Sequence, residues 1–139
     1  MREVIMTTEH AAHHRKKRIL AVDDDGLVRR SLEILLREAG YDPTVASGGQ
    51  EALGFLVQRH FDLLITDMRM PGMDGLQVIQ AVRDYCRETK RPPIPEIVLT
   101  AYNDDQVKQS AIRLGVREFL LKPFKIDEFL TVLKHNLSR

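Results

Sequence analysis

From residue 18 onward the chain alternates two kinds of apolar pattern. Short continuous runs are separated by longer segments whose apolar residues recur every three or four positions. The first run, ILAV (19–22), has the composition of a strand buried on both faces. Residues 27–39 place Val28, Leu32, Leu35, Leu36 and Ala39 on one helical face, and Gly40 follows as a stop. PTVA (43–46) predicts a second strand, and GGQEALGFLVQRH (48–60) a helix entered through glycines. DLLIT (62–66) is the third strand and ends at Asp67. GLQVIQAVRDYC (75–86) carries Leu76, Ile79, Val82 and Cys86 on one stripe. The three prolines of RETKRPPIP (87–95) exclude regular structure there. EIVLT (96–100) is the fourth strand, and DDQVKQSAIRLG (104–115) a helix with Asp104 as its cap. VREFLL (116–121) is the fifth strand. KIDEFLTVLKHNL (125–137) closes the chain, with Ile126, Phe129, Leu130, Leu133 and Leu137 facing inward.

Five strand–helix units in succession predict an α/β fold with a five-stranded parallel sheet. Right-handed crossovers put helices on both faces. The common doubly wound order for five strands is 2-1-3-4-5.

Totals narrow the picture further. A chain of 139 residues suits one domain, placed at 18–139, preceded by a polar arm at 1–17. The arm carries His10, His13 and His14 ahead of a basic run, and reads as a solvated tail because no further ligand sits at metal-binding spacing. A formal net charge of +1 gives no reason to expect direct nucleic-acid binding. The single cysteine, Cys86, forbids an internal disulfide and is expected to be a buried small hydrophobe. No run is apolar enough to cross a bilayer, and no secretory leader is visible. A cytoplasmic protein without membrane contact is expected.

In such a sheet, ligands collect at the carboxyl ends of the strands. Strand one ends in Asp23-Asp24-Asp25, strand three in Asp67, strand four in Thr100 and strand five in Lys122. Strands one and three are neighbours in the expected order, so Asp67 faces the first two aspartates. Crowded carboxylates without a soft ligand suit a hard divalent cation such as Mg²⁺. A carboxylate beside such a cation and a lysine can attack phosphorus and form an acyl phosphate.

The segments AVDDDG, LLITDMRMPGMDG, IVLTAY and FLLKPF resemble, in order and spacing, the motifs of the receiver domain of two-component response regulators. The resemblance covers about residues 18–138 and implies the flavodoxin-like form of the doubly wound sheet. It implies that Asp67 accepts a phosphoryl group from a phosphohistidine on a sensor histidine kinase or phosphotransfer protein. It further implies Mg²⁺ held by Asp24, Asp67 and the backbone carbonyl of Arg69, with Asp23 acting through a metal-bound water. Lys122 would pair with the phosphoryl group, and the Lys122–Pro123 bond would be cis. Thr100 would move toward the phosphoryl oxygen while Phe119, where many members carry tyrosine, turns inward as an aromatic switch. Pro71 and Gly72 would shape the loop after Asp67. Arg69 and Tyr102 occupy positions that tune phosphoryl lifetime. The output surface would lie on the fourth helix, fifth strand and fifth helix, meeting a downstream protein or an output domain. Such a module is a phosphoacceptor that takes part in its own phosphorylation and dephosphorylation, not an enzyme acting on other molecules.

Other readings remain open in the residues. DDDGLV also resembles the motif of haloacid-dehalogenase-like phosphatases, with Asp23 as nucleophile and Asp25 as general acid. A receiver that binds partners without phosphorylation is a second. Asp25 is otherwise expected to cap the helix that follows it. Met68, Met70 and Met73 suit either packing or a kinase-docking surface. The fourth helix has a thin apolar face of Val107, Ala111, Ile112 and Leu114, which makes it the element expected to move.

Overall fold

The computed structural model describes residues 15–101 and 105–137. Its elements in chain order are β1 (Arg18–Val22), α1 (Gly26–Glu38), β2 (Asp42–Ala46), α2 (Gly49–Gln58) and β3 (Leu63–Asp67), then α3 (Gly75–Glu88), β4 (Glu96–Ala101), α4 (Asp105–Leu114), β5 (Glu118–Lys122) and α5 (Ile126–Leu137). The strands form one sheet in the order β2-β1-β3-β4-β5, with every neighbouring pair parallel. This is the doubly wound, flavodoxin-like arrangement expected from the alternation.

Side chains alternate across the sheet with period two, so each strand feeds two cores. Ile19 and Ala21 of β1, Leu63 and Ile65 of β3, and Ile97 and Leu99 of β4 meet Leu32 and Leu36 of α1 and Phe129 and Leu133 of α5. Leu20, Val22, Leu64 and Val98 point the other way, onto Ala52 and Leu56 of α2, Val78, Ile79 and Val82 of α3, and Ala111 of α4. Helices α1 and α5 therefore cover one face, and α2, α3 and α4 the other. Cys86 is buried and unpaired, as expected.

Three helices end on a residue with positive φ, which frees a later N–H to reach back to an open carbonyl. Gly40 does this after α1, with Tyr41 N–H on the Leu36 carbonyl. Gly115 does it after α4, with Val116 N–H on the Ala111 carbonyl. That corrects the expected start of the fifth strand: Val116 belongs to the helix cap, and pairing with β4 begins at Glu118. After α3 the residue is Lys90, at φ 59°, with Arg91 N–H on the Cys86 carbonyl. Helix α3 thus runs two residues past the predicted Cys86.

Ile126 is 60% exposed, contrary to expectation, because it opens the first turn of α5 rather than facing the sheet. Ile112 is 67% exposed, leaving Ala111 as the one buried residue of α4. The apolar face of α4 is thinner than the spacing predicted. The histidines of the arm, Tyr102 and the expected cap Asp104 lie outside the described residues. Residues 15–17 lead into β1 without regular structure.

Candidate functional site

Parallel pairing aligns the strand ends. Asp67 pairs with Leu99 one position before Thr100, and Ala101 pairs with Lys122. Asp23, one residue past β1, donates its N–H to the Ala46 carbonyl at the end of β2 (3.1 Å) and so stays on the sheet line. Four strand ends therefore deliver three carboxylates, a hydroxyl and an ammonium to one rim.

The Lys122 ammonium lies 3.0 Å from Asp67 Oδ1 and 3.4 Å from Asp23 Oδ2. Carboxylate oxygens of Asp23, Asp24 and Asp67 lie within 4.8 Å of one another. Asp23 is 1% exposed, Asp67 is half-buried and Asp24 is open to solvent. Asp67 Oδ1 also accepts from its neighbour's backbone, Met68 N–H, at 3.0 Å. Asp23 Oδ1 accepts from Asp25 N–H at 2.9 Å. The peptide between Lys122 and Pro123 is cis.

Burial pushes the Asp23 carboxyl above its ordinary value; Asp67 adds to the push, while the Asp25 N–H and Lys122 oppose it. Burial alone would lower Lys122, but the hydrogen bond to Asp67 and the two carboxylate charges outweigh it, so the ammonium is held above its usual value. Three carboxylates against one ammonium leave an excess of two formal negative charges. A divalent cation balances that excess, and the donor set is all oxygen, as Mg²⁺ prefers. The residues present therefore fit a hard divalent ion.

Asp25 stands apart. Its Oδ1 accepts from Leu27 N–H (2.8 Å) and Val28 N–H (3.4 Å), so it caps α1 as expected. An aspartate committed to a helix end does not present itself as the general acid of a dehalogenase-type phosphatase. Thr100 is buried, and its hydroxyl donates to the Ala101 carbonyl at 3.1 Å. Phe119 is partly buried against the core beneath α2, α3 and α4. Arg69 is exposed beside the rim.

Two residues of the site escaped the sequence reading. Gly75 opens α3 and donates its N–H to the Met68 carbonyl at 2.8 Å. A Cβ there would stand 2.4 Å from the Asp67 carbonyl oxygen, so only glycine lets α3 approach the end of β3 this closely. The preceding Asp74 caps the same helix, exchanging hydrogen bonds with Gln77. The D-x-x-Q spacing was its available signal. The second missed residue is Arg29, whose Nη1 donates to the Asp23 carbonyl at 2.8 Å.

A parallel sheet in this order, with an acidic pocket and a lysine at its carboxyl rim, defines a flavodoxin-like α/β protein with its candidate site at the strand ends. The chain belongs to the response regulator receiver domain family, whose model matches residues 19–134. It is 36% identical over 120 residues to the DNA-binding transcriptional regulator NtrC of Salmonella typhimurium, covering 86% of this chain and 24% of that protein. The chain thus spans about a quarter of that relative's length. Among solved structures it is similar to the chemotaxis protein CheY4 of Vibrio cholerae (32% identity, TM-score 0.79, 88% of this chain and 99% of that one). It is also similar to response regulator TrrA of Thermotoga maritima, solved in complex with Mg²⁺-BeF (35% identity, TM-score 0.74, 87% and 99% covered). The phosphatase alternative finds no support among these relatives. Among the described residues no helix is long and apolar enough to cross a membrane.

Proposed function

We propose that this receiver domain is switched by phosphorylation of Asp67. The supporting observation is the meeting of Asp23, Asp24, Asp67 and Lys122 at one rim, with the Lys122 ammonium 3.0 Å from Asp67 Oδ1. A carboxylate oxygen of Asp67 attacks the phosphorus of a phosphohistidine on a sensor histidine kinase or phosphotransfer protein. The phosphorus–nitrogen bond breaks, and the imidazole keeps the electron pair. Lys122 stays protonated throughout and neutralises charge on the transferred group. Asp24, Asp67 and the Arg69 carbonyl would hold Mg²⁺, with Asp23 reaching it through a water. When bound, Mg²⁺ supplies charge neutralisation at the phosphoryl oxygens.

Thr100 is the reporter. Its hydroxyl leaves the Ala101 carbonyl and donates to a phosphoryl oxygen, exchanging one hydrogen bond for a charge-assisted one. Phe119 repacks into the space this vacates. The signal passes to α4, β5 and α5, which meet a downstream protein or an output domain. The protein acts in the cytoplasm, where its kinase partners present phosphohistidine.

The test is direct. Incubate with acetyl phosphate and Mg²⁺, then locate the acyl phosphate by mass spectrometry after borohydride reduction. Modification at Asp67, lost in D67N, supports the reading. Modification at Asp23, or none in the presence of Mg²⁺, overturns it.

A further inference from the structure

The acidic turn Asp23-Asp24-Asp25 must hold two carboxylates toward one point although they repel. Its internal bonds are few. Asp23 Oδ1 accepts from Asp25 N–H, and Asp25 Oδ1 turns away to cap α1. The carbonyl of Asp23 lies outside both the sheet ladder and the helix. Arg29 meets it: Nη1 donates to the Asp23 carbonyl at 2.8 Å, while the backbone N–H of the same residue donates to the Asp25 carbonyl at 2.9 Å. The main-chain bond is the first ordinary bond of α1 and holds Asp25 whatever side chain stands at 29; the side chain adds the tie to Asp23, at the other end of the turn. The side-chain grip spans six residues, well beyond one helical turn, so it is not a by-product of helix geometry. A Cβ at Gly26 would lie 3.5 Å from Arg29 Nη2, an ordinary contact, so the reach of the guanidinium does not depend on glycine there.

We infer that Arg29 is a positioning residue for the divalent cation: it fixes the Asp23–Asp25 turn so that Asp23 and Asp24 face the ion before the ion arrives. The inference rests on the proposed phosphorylation site. The effect is one of order. A turn freed from the guanidinium gains backbone freedom that cation binding must then remove. The guanidinium charge itself works against a cation, as that of Lys122 does, so the ordering of the turn must outweigh it. Partners that orient ligands in this way typically govern affinity by 10- to 100-fold.

The test compares wild type, R29M and R29K by calorimetric titration with MgCl₂, together with amide exchange of the cation-free proteins. R29M keeps the bulk of the stem and loses the donors; it is expected to bind Mg²⁺ about 10-fold more weakly. The Asp25 amide should exchange faster in R29M, while amides of β1 stay protected. R29K, whose ammonium has a shorter reach and no planar fork, should fall between. Equal Mg²⁺ affinity in wild type and R29M overturns the inference, as does a uniform rise in exchange across β1, which would assign Arg29 to fold stability alone. Should wild type itself fail to bind Mg²⁺, the reading of the site falls and the inference with it. Acyl phosphate at Asp67 in wild type, alongside unchanged R29M affinity, would leave that reading standing and remove only this inference.

Discussion

Replacing Lys122 with methionine separates the two countercharges of the rim. The ammonium lies 3.0 Å from Asp67 Oδ1 and 3.4 Å from Asp23 Oδ2. At an effective dielectric near 20 each contact is worth about 5 kcal/mol of gross attraction. Carboxylate oxygens of Asp23 and Asp67, within 4.8 Å of each other, repel by at least about 3 kcal/mol on the same scale. Against these stand the recovered hydration of an ammonium whose side chain is 31% exposed, and protonation of Asp23, whose carboxyl is already pushed upward. Removing one partner of a buried pair costs about 3–5 kcal/mol, and solvent access brings the expectation here to about 2 kcal/mol. The loss applies to the cation-free protein. With Mg²⁺ present the substitution has an opposite consequence, because a neighbouring positive charge no longer opposes the ion. K122M should bind Mg²⁺ about tenfold more tightly, which is about 1.4 kcal/mol and returns most of the deficit at saturation. The assay is urea unfolding followed by far-UV circular dichroism, since the chain has no tryptophan, in EDTA and in millimolar Mg²⁺. The same deficit in both conditions, or weaker Mg²⁺ binding by K122M, would refute the reasoning.

Further tests address single features. Because the folded Asp23 carboxyl sits above its unfolded value, its favourable contribution exists at low pH and disappears as pH rises through the folded value. Cation-free D23N should therefore be more stable than wild type at neutral pH and lack the gain that wild type shows on mild acidification, measured as urea midpoint against pH in EDTA. Arg83 forks Glu96 through Nε (2.8 Å) and Nη2 (2.7 Å), with the Glu96 side chain only 6% exposed and that of Arg83 32%. R83M, which strands the buried carboxylate, should cost about 3 kcal/mol and E96A about half that, with R83M/E96M recovering most of the loss in the same unfolding assay. G75A should cost about 2 kcal/mol or more and abolish phosphorylation of Asp67, because the added Cβ meets backbone. G49A meets chiefly the Met73 thioether and should cost about 1 kcal/mol. Beryllofluoride with Mg²⁺ should raise amide exchange in the first turns of α4; unchanged exchange along that helix would exclude it as the moving element.

The rim was readable because each of its residues sits at a strand end, and strand ends follow from where an apolar run stops. Asp67 after LLIT and Lys122 after FLL needed no knowledge of distant contacts. What stayed hidden depends on approach between elements far apart in sequence. Gly75 matters only because α3 packs onto the Asp67 carbonyl, and Arg83 because α3 crosses β4 beside Glu96. Arg29 lay in plain view on a predicted helix, but a six-residue reach back to a carbonyl has no periodicity to reveal it. Lys90 carries no turn signature, so the end of α3 is not legible in the way that Gly40 marks the end of α1. Helical spacing alone turns Ile126 inward, and it does not register that a first turn can project beyond the sheet it packs on.

The uneven anchoring of the helices would give the proposed switch its direction. Helix α3 buries Val78, Ile79, Val82 and Cys86, and large aliphatic side chains contribute about 1.5–3 kcal/mol each when fully buried. Helix α4 buries Ala111 alone, with Val107 and Leu114 only partly covered. Displacing α4 therefore costs least among the helices on its face. Its two ends are not equivalent. At the C-terminal end Arg83 Nη1 donates to the Leu114 carbonyl, and the Gly115 turn ties Val116 back to Ala111. The same guanidinium holds Glu96 at the start of β4, so this end of α4 is fixed to the sheet. The N-terminal end lies after β4, whose Thr100 hydroxyl makes, among the described residues, a neutral bond to its own strand, worth about 1 kcal/mol. A phosphoryl oxygen offering Thr100 a charge-assisted bond is worth more than that. Motion should accordingly begin at Thr100 and pivot α4 about the end that Arg83 holds, converting a small hydroxyl shift into rotation of a weakly seated helix.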